Sequence, residues 1–510
     1  SDEIFVLVKP LDIQEIVYSK TFSSNKGKKE TLSYLKLFDI IRELKVYNED
    51  TLRLTLKKKG YDHNLNKAKK YLTEAILKSL SEYHSDASIE SQIQHLIFRA
   101  ELLYGKRLYK MSDKMLVKAE NLALKYERYN YLLILSSIKV RNIRQTADIK
   151  AMDNYIKTGI ARKNHYYDCL KNIDEYTNIS LYQERSYLQP GDKSGNFEIQ
   201  KFPNSHLLDS TDKALTFSSL NHFYCIHFLQ DYIQFHQANT WTRTSYLRQK
   251  EWIRLMENRP DFINITPGDY IGGMVRFMAT LTHPSLKKEL ELSFQKVKNY
   301  YDKLPSKVKT KQVKYFFIAA ICNYFAGQIA FLNPIKIIST WKDVKNLIPF
   351  NEIETGVKMH LCMNLFYSNY LENQYKESFV FLTIIIQYKG DVNHLIQAEA
   401  RMLMLITRYD AGDIDTLPYM AQSTQRWLQK NNLLGEFEKR ILLFFKKPFS
   451  GNSKKKILFT KFKEDLNRLA QIHKPKILTF FNMDLWADSK IKNDCYLDLL
   501  KEETKRRLKK

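Results

Sequence analysis

Residues Ile89 to Tyr129 read IESQIQHLIFRAELLYGKRLYKMSDKMLVKAENLALKYERY, and this stretch decides the fold. Ile89 to Tyr109 and Met111 to Tyr129 each repeat apolar residues every three or four positions, which marks one buried face of a helix. A short polar turn joins them. The small Ala119 and Ala123 of the second run leave room for the bulky Leu102, Leu103 and Leu108 of the first. The two runs are therefore expected to nest as a helical hairpin.

The pattern recurs from about Ala87 to Lys446 as apolar-periodic runs separated by short polar turns. Leu286 to Leu304 precedes Lys311 to Leu332, and Val357 to Leu371 precedes Ser378 to Tyr388. Pro284, Pro334 and Pro418 stand near helix starts, where the amide that proline lacks would be unpaired anyway. The turn Asp410-Ala411-Gly412-Asp413 closes one helix, and Trp427 and Leu428 lie on the next. Small residues set opposite large ones in successive hairpins follow the plan of tetratricopeptide repeats. The expected fold is all-α, a tetratricopeptide-like α-solenoid of helical hairpins.

Three segments are expected: an N-terminal helical module at 1–86, the repeat array at 87–446 and a basic helical cap at 447–510. In the first, Leu32, Leu35, Phe38 and Leu44 mark one helix and Leu52, Leu54 and Leu56 a second. Leu65, Ala68, Leu72, Ile76 and Leu80 mark a third. Gly27 and Gly60 fall in the breaks Ser23–Lys29 and Lys57–Asn64, where a helix can end on a left-handed residue. Tyr187 to Ser210 lacks helical periodicity and reads as an excursion from the array. The cap, after a loop at Lys446–Lys456, reads as two helices, Ile457–Ile472 and Asp484–Leu508.

At 510 residues the chain exceeds what one core serves, so it is several domains or an elongated array. Only 15 Gly and 12 Pro are present, too few turn residues for a many-stranded sheet. The balance of 81 Lys and Arg against 56 Asp and Glu gives +25, a field that attracts nucleic acid, ribosomes or anionic lipid. Abundant Lys, Asn, Ile, Tyr and Phe together are also what an AT-biased genome encodes. The cysteines Cys169, Cys225, Cys322, Cys362 and Cys495 are scattered, which suits a reducing compartment. The N-terminus lacks the basic and apolar regions of a signal peptide. Tyr315 to Leu332 is uncharged, but Asn323 and Gln328 interrupt it and Ala319, Ala320, Ala326 and Gly327 suit close packing, so it reads as a buried helix rather than a membrane span.

Motifs for chemistry are weak. His222, Cys225 and His227, with His236 beyond, lie on one expected helix, but spacings of three and five swing His227 away and no HExxH or CxxC completes a site. Gly191-Asp192-Lys193-Ser194-Gly195 lacks the spacing of a phosphate loop. No catalytic, metal or cofactor residue is assigned. Basic clusters carry more: Lys67, Lys69 and Lys70 follow a short helix and turn as in a helix-turn-helix. Lys454, Lys455 and Lys456 open a helix, and Lys505, Arg506 and Arg507 lie in the tail. These nine are the candidate contacts to an anionic partner, although lysines at a helix C-terminus also answer its dipole. Phe223, Tyr224, Phe228, Tyr232 and Phe235 form an aromatic series of the kind that fills cores and lines peptide grooves.

Ala421-Gln422-Ser423-Thr424-Gln425-Arg426-Trp427-Leu428-Gln429-Lys430-Asn431-Asn432 with Phe437-Glu438-Lys439-Arg440 resembles a segment of uncharacterised tetratricopeptide-like helical-repeat proteins of Bacteroidetes. Ser1-Asp2-Glu3-Ile4-Phe5, Tyr34-Leu35-Lys36-Leu37-Phe38-Asp39 and Lys78-Ser79-Leu80-Ser81-Glu82-Tyr83-His84 resemble the starts of the same proteins. The resemblance implies a cytoplasmic helical-repeat protein and transfers no activity to any residue. The expected function is a non-enzymatic adaptor or regulator holding a protein or peptide partner in a groove. The alternatives are a nucleic-acid- or ribosome-associated factor and, more remotely, an enzyme with a site near Tyr187–Ser210.

Overall fold

A computed structural model describes residues 3–24, 29–44, 46–58, 65–83, 88–188, 203–238, 242–390, 394–447, 452–472, 477–478 and 481–508. Among the described residues every regular element is a helix and no strand is present, so the chain is all-α. It divides into two units, Ser1–Asp192 with Asn196–Phe223, and Tyr224–Lys510 with Lys193–Gly195.

The first unit opens with α1 (Glu3–Val8), α2 (Ile13–Ser24), α3 (Lys29–Glu43), α4 (Glu49–Lys58) and α5 (Leu65–Tyr83). These helices share a core of their own that includes Ile4, Val8, Ile16, Leu37, Phe38, Ile41, Leu52, Leu56, Leu72 and Ile76. The sequence reading expected only the last three helices. In α2 the apolar Ile13 and Val17 face outward, and Ile16 alone among the helix's described side chains joins the core, so no clean stripe announces it. Leu54, expected on the core side of α4, also faces outward, since the buried Leu52 and Leu56 are four residues apart. Gly27 and Gly60 lie outside the described residues.

Next come α6 (Ile89–Gly105), α7 (Tyr109–Lys125), α8 (Tyr129–Thr146), α9 (Ile149–Asn154), a π-turn at Tyr155–Gly159 and α10 (Ile160–Leu188). Ser88 starts α6 by accepting the Ser91 amide on its hydroxyl at 3.0 Å. α6 packs on α7, α7 on α8, and α8 on both α6 and α10. Ala119 and Ala123 are fully buried, as their small size suggested. Leu102 and Leu108 are exposed, however: Leu102 lies on the face of α6 opposite Ile93 and Ala100, and Leu108 falls in the turn. Ile89, Ile93, Ala100, Ser112 and Leu116 are buried on this pair with Ala119 and Ala123. Most of the excursion at Tyr187–Ser210 lies outside the described residues; its end holds a 3₁₀ turn at Ser205–Leu208.

The helix α11 (Phe217–Ala238) crosses the boundary between units. The second unit continues with α12 (Arg243–Glu257), α13 (Pro260–Ile265), α14 (Pro267–Ala279), α15 (Lys287–Lys303), α16 (Lys311–Ala330), α17 (Pro334–Val344), α18 (Thr355–Leu371), α19 (Tyr375–Gln387), α20 (His394–Asp410), α21 (Leu417–Lys430) and α22 (Glu436–Phe445). Packing follows chain order. From α14 to α22 each helix meets the next, and α12, α14, α16 and α18 also pack each on the one two places on. Asn323 donates its amide to the Val275 carbonyl at 2.9 Å, and Asn364 donates likewise to the Cys322 carbonyl at 3.0 Å. These bonds tie α16 to α14 and α18 to α16 at fixed register. Tyr301 stacks on Phe317 at 3.8 Å and Phe294 on Tyr324 at 4.1 Å, joining α15 to α16.

One turn recurs. Lys106-Arg107-Leu108, Tyr126-Glu127-Arg128, Phe331-Leu332-Asn333 and Glu372-Asn373-Gln374 each link two helices in three residues, with the middle one left-handed at φ 62°, 53°, 52° and 57°. The third residue's amide donates back to a carbonyl in the last turn, Leu108 to Leu103 at 2.9 Å and Gln374 to Asn369 at 2.8 Å among them. This pattern satisfies carbonyls that the helix end leaves orphaned. Gly412 and Asn432 repeat it within longer turns.

The helix α16, charged only at Lys311 and Lys314 in its first turn, is the one helix among the described residues long and apolar enough to cross a bilayer. It packs against α14, α15, α17 and α18, with Phe317, Ile321, Phe325 and Gln328 buried. Gln328 and Tyr324 both donate to the Glu291 carboxylate at 2.8 Å.

The expected two cap helices are three: α23 (Asn452–Ile472), α24 (Met483–Lys492) and α25 (Tyr496–Leu508). The left-handed Asn493 at φ 61° breaks the second run. Phe459, Phe462, Leu466 and Trp486 belong to one hydrophobic cluster with residues of α18 to α22, so this segment shares the core of the helices before it.

Candidate functional site

The nine basic residues singled out by sequence fall into three places. On α5, Lys67 and Lys70 are exposed, the former near the Tyr71 ring. Lys69 is not a free contact: its side chain is only 9% exposed, and its ammonium donates to Glu49 at 2.9 Å and Tyr47 at 2.6 Å. That corrects its assignment, and the cause is α5's period, which turns Lys69 to the face bearing Leu65, Leu72 and Ile76. Hydrogen bonds from Lys69, Arg53 and Tyr47 hold the Glu49 carboxyl down at about 2. Burial works against the Lys69 charge, but the Tyr47 and Glu49 bonds outweigh it and raise its pKa. On α23, Lys455 is half-buried and Lys456 exposed, and the Lys454 side chain lies outside the described set. On α25, Lys505 is exposed and Arg506 lies 3.9 Å from Glu502 one turn back, a weak surface pair. The Arg507 side chain is not among those described.

His222, Cys225 and His227 lie on α11, and the His227 ring faces the Gln230 amide oxygen at 2.9 Å. His236's side chain and the Gly191–Gly195 segment lie outside the described set. Among the described residues no three His, Cys, Asp or Glu side chains are grouped to hold a metal. Burial pushes the thiols of Cys169 and Cys322 up, and that of Cys362 to about 12, so these three are held as thiols.

Two cavities in the second unit contrast in their polar groups. One, about 450 Å³, is lined by Tyr270, Leu292, Lys296, Tyr300 and Lys303 among others. Its polar groups are largely engaged: Lys296 pairs with Glu257 at 2.6 Å, Tyr270 donates to the same carboxylate and Tyr300 to the Ile263 carbonyl. The other, about 200 Å³, lies between α19, α20 and α21. Thr383, Ile386 and Gln387 come from the first helix, Arg401 and Met404 from the second, and Met420, Ser423 and Thr424 from the third.

Arg401 distinguishes this second cavity. Its guanidinium lies 4.7 Å from the centre of the Trp427 ring. Its Nε is buried without a hydrogen-bond partner, while the residue as a whole is half-buried, and no carboxylate pairs with it among the described residues. Burial alone pushes its pKa down, the mark of a cation lacking an anion. Arg276 makes a related stack over Trp252 at 4.9 Å, but in close-packed surroundings. A methyl group on Gly273 there would stand 1.8 Å from the Trp252 ring.

Sequence reasoning missed Arg401, since one arginine between alanine and methionines on an amphipathic helix reads as its polar edge. The signal available was the pairing of that arginine with a tryptophan on the next helix. The chain matches no family model, no curated protein and no solved structure.

Proposed function

We propose that this chain is a non-enzymatic helical-repeat adaptor, a tetratricopeptide-like solenoid that holds a protein or peptide partner along its stacked hairpins. The observation that carries the proposal is the open cavity between α19, α20 and α21, where the half-buried Arg401 has no carboxylate partner among the described residues. Chain-order packing and the recurring three-residue turn support the solenoid. Five free cysteines agree with a reducing, cytoplasmic setting. The test is capture from a cell lysate by the full chain and by Arg401→Met, after nuclease and in high salt. Proteins held by the first and lost from the second support the adaptor. Recovery of nuclease-sensitive material alone overturns it.

A second reading rests on the net charge of +25 and on exposed Lys67, Lys70, Lys456 and Lys505. In it the chain binds nucleic acid or ribosomes through phosphate contacts. Such binding weakens steeply with salt and brings nucleic acid through purification, seen as a raised ratio of absorbance at 260 to 280 nm.

A further inference from the structure

We propose that the cavity between α19, α20 and α21 binds a carboxylate side chain, a Glu or Asp presented by the peptide partner next to an apolar residue. The assignment rests on the adaptor reading and names the chemistry that the partner must bring.

A cation taken out of water needs an anion or several acceptors, and a lone one is strongly destabilising. Lys69 in the first unit obeys this rule through Glu49 and Tyr47. Arg401, half-buried and with its Nε buried and unbonded, has no such carboxylate among the described residues, and it lines a cavity into which an anion can enter. Its guanidinium carbon lies 4.7 Å from the centre of the Trp427 ring, which limits where the fork can point, and a guanidinium favours a flat, two-oxygen acceptor.

The rest of the wall narrows the ligand. Thr383, Ser423 and Thr424 supply hydroxyls and Gln387 an amide, groups able to donate to carboxylate oxygens or to the peptide beside them. Ile386, Met404 and Met420 supply apolar surface, and methionine adapts to varied shapes. At about 200 Å³ the cavity falls below the range of pockets for whole small molecules, and it suits one side chain. An acidic residue flanked by an apolar one meets the charge, the hydroxyls and the methionines together.

The test uses the purified full chain and two blocked peptides, acetyl-Leu-Glu-Leu-amide and acetyl-Leu-Gln-Leu-amide, with inorganic phosphate as a third arm. A charge-assisted bond to the guanidinium should make the Glu peptide bind roughly tenfold tighter than the Gln peptide. In Arg401→Met that ratio should fall to one while the melting temperature holds or rises, which separates lost recognition from lost folding. Arg401→Lys should retain part of the preference, because it keeps the charge without the fork. Equal binding of the two peptides, or a Glu preference that survives in Arg401→Met, overturns the carboxylate assignment. Tighter binding of phosphate than of the Glu peptide also overturns it. The adaptor reading is judged apart from this: it survives if proteins are still captured independently of Arg401, and it fails with the assignment if none are.

Discussion

Lys69 and Arg401 are both cations drawn into apolar surroundings, one in the first unit and one in the second, and the fold treats them in opposite ways. Lys69 sits in a run of lysines that suggests an outward, partner-seeking face, yet it is enclosed and answered by Glu49 and Tyr47. Arg401 stands alone in a methionine-rich helix and is left without an anion at the edge of a cavity. A cluster of charges along the chain is therefore a poor guide to free charge in space. What decides is whether the neighbouring elements bring a counter-charge to the same depth.

The largest effect that would sharpen this comparison belongs to a third buried charge, Asp410. Its side chain is 2% exposed; it accepts from Tyr370 at 2.5 Å and from the Trp486 indole at 3.0 Å, and Lys490 lies 2.8 Å away. It joins α18, α20 and α24. Asp410→Ala strands all three partners and should cost about 3–5 kcal/mol, read as a large fall in the melting temperature. A loss under about 1 kcal/mol would break the view that internal charges here are structural when paired. Gly273→Ala comes next. The tryptophan ring cannot yield as a flexible chain end would, so overpacking should cost about 3 kcal/mol, the upper end for such changes.

The two cations themselves should then part in sign. Lys69→Met takes one of Glu49's three donors and leaves Tyr47 without the ammonium beside it, and should cost about 1 kcal/mol, reduced from a fully buried pair because Glu49 remains 34% exposed and keeps Arg53 and Tyr47. Arg401→Met removes a half-buried charge that has no carboxylate to lose, so despite the contact with Trp427 stability should hold or rise by up to about 1 kcal/mol. Parallel denaturant titrations of both variants give the answer. If Arg401→Met is as damaging as Lys69→Met, the stack on Trp427 is structural and the contrast collapses.

Hairpin character was legible because Ala119, Ala123, Leu116 and their like repeat at helical spacing over hundreds of residues. The turns were less so. A left-handed residue invites glycine, and the reading placed helix ends at Gly27, Gly60 and Gly412. In the described structure the middle positions of the recurring three-residue turns are Arg107, Glu127, Leu332 and Asn373. A non-glycine residue there costs on the order of 1 kcal/mol, and the returned hydrogen bond and helix packing carry it, so composition gives no warning. The cavity at Arg401 was illegible for another reason. Its walls come from three helices spread over Thr383 to Thr424, and no local pattern records which side chains a packed triplet leaves facing a gap.

The smallest effect concerns acid. Hydrogen bonding from Lys69, Arg53 and Tyr47 holds Glu49 at about 2 in the folded chain, against an ordinary 4.5. A carboxyl whose pKa is depressed by folding contributes stability that is fully present above its unfolded value and fades as pH falls through the folded one. The gap in melting temperature between wild type and Glu49→Gln should therefore stay constant above about pH 5 and close between about 4.5 and 2. Amide exchange along α4 and α5 should show the same closing locally, since Glu49 and Lys69 are what tie those helices at that point. Arg401→Met should show no such window, because the guanidinium keeps its proton throughout this range and has no carboxylate beside it. A gap for Glu49→Gln that persists unchanged to pH 2 would mean that Lys69 is answered by Tyr47 alone, and the two buried cations would then differ in degree rather than in kind.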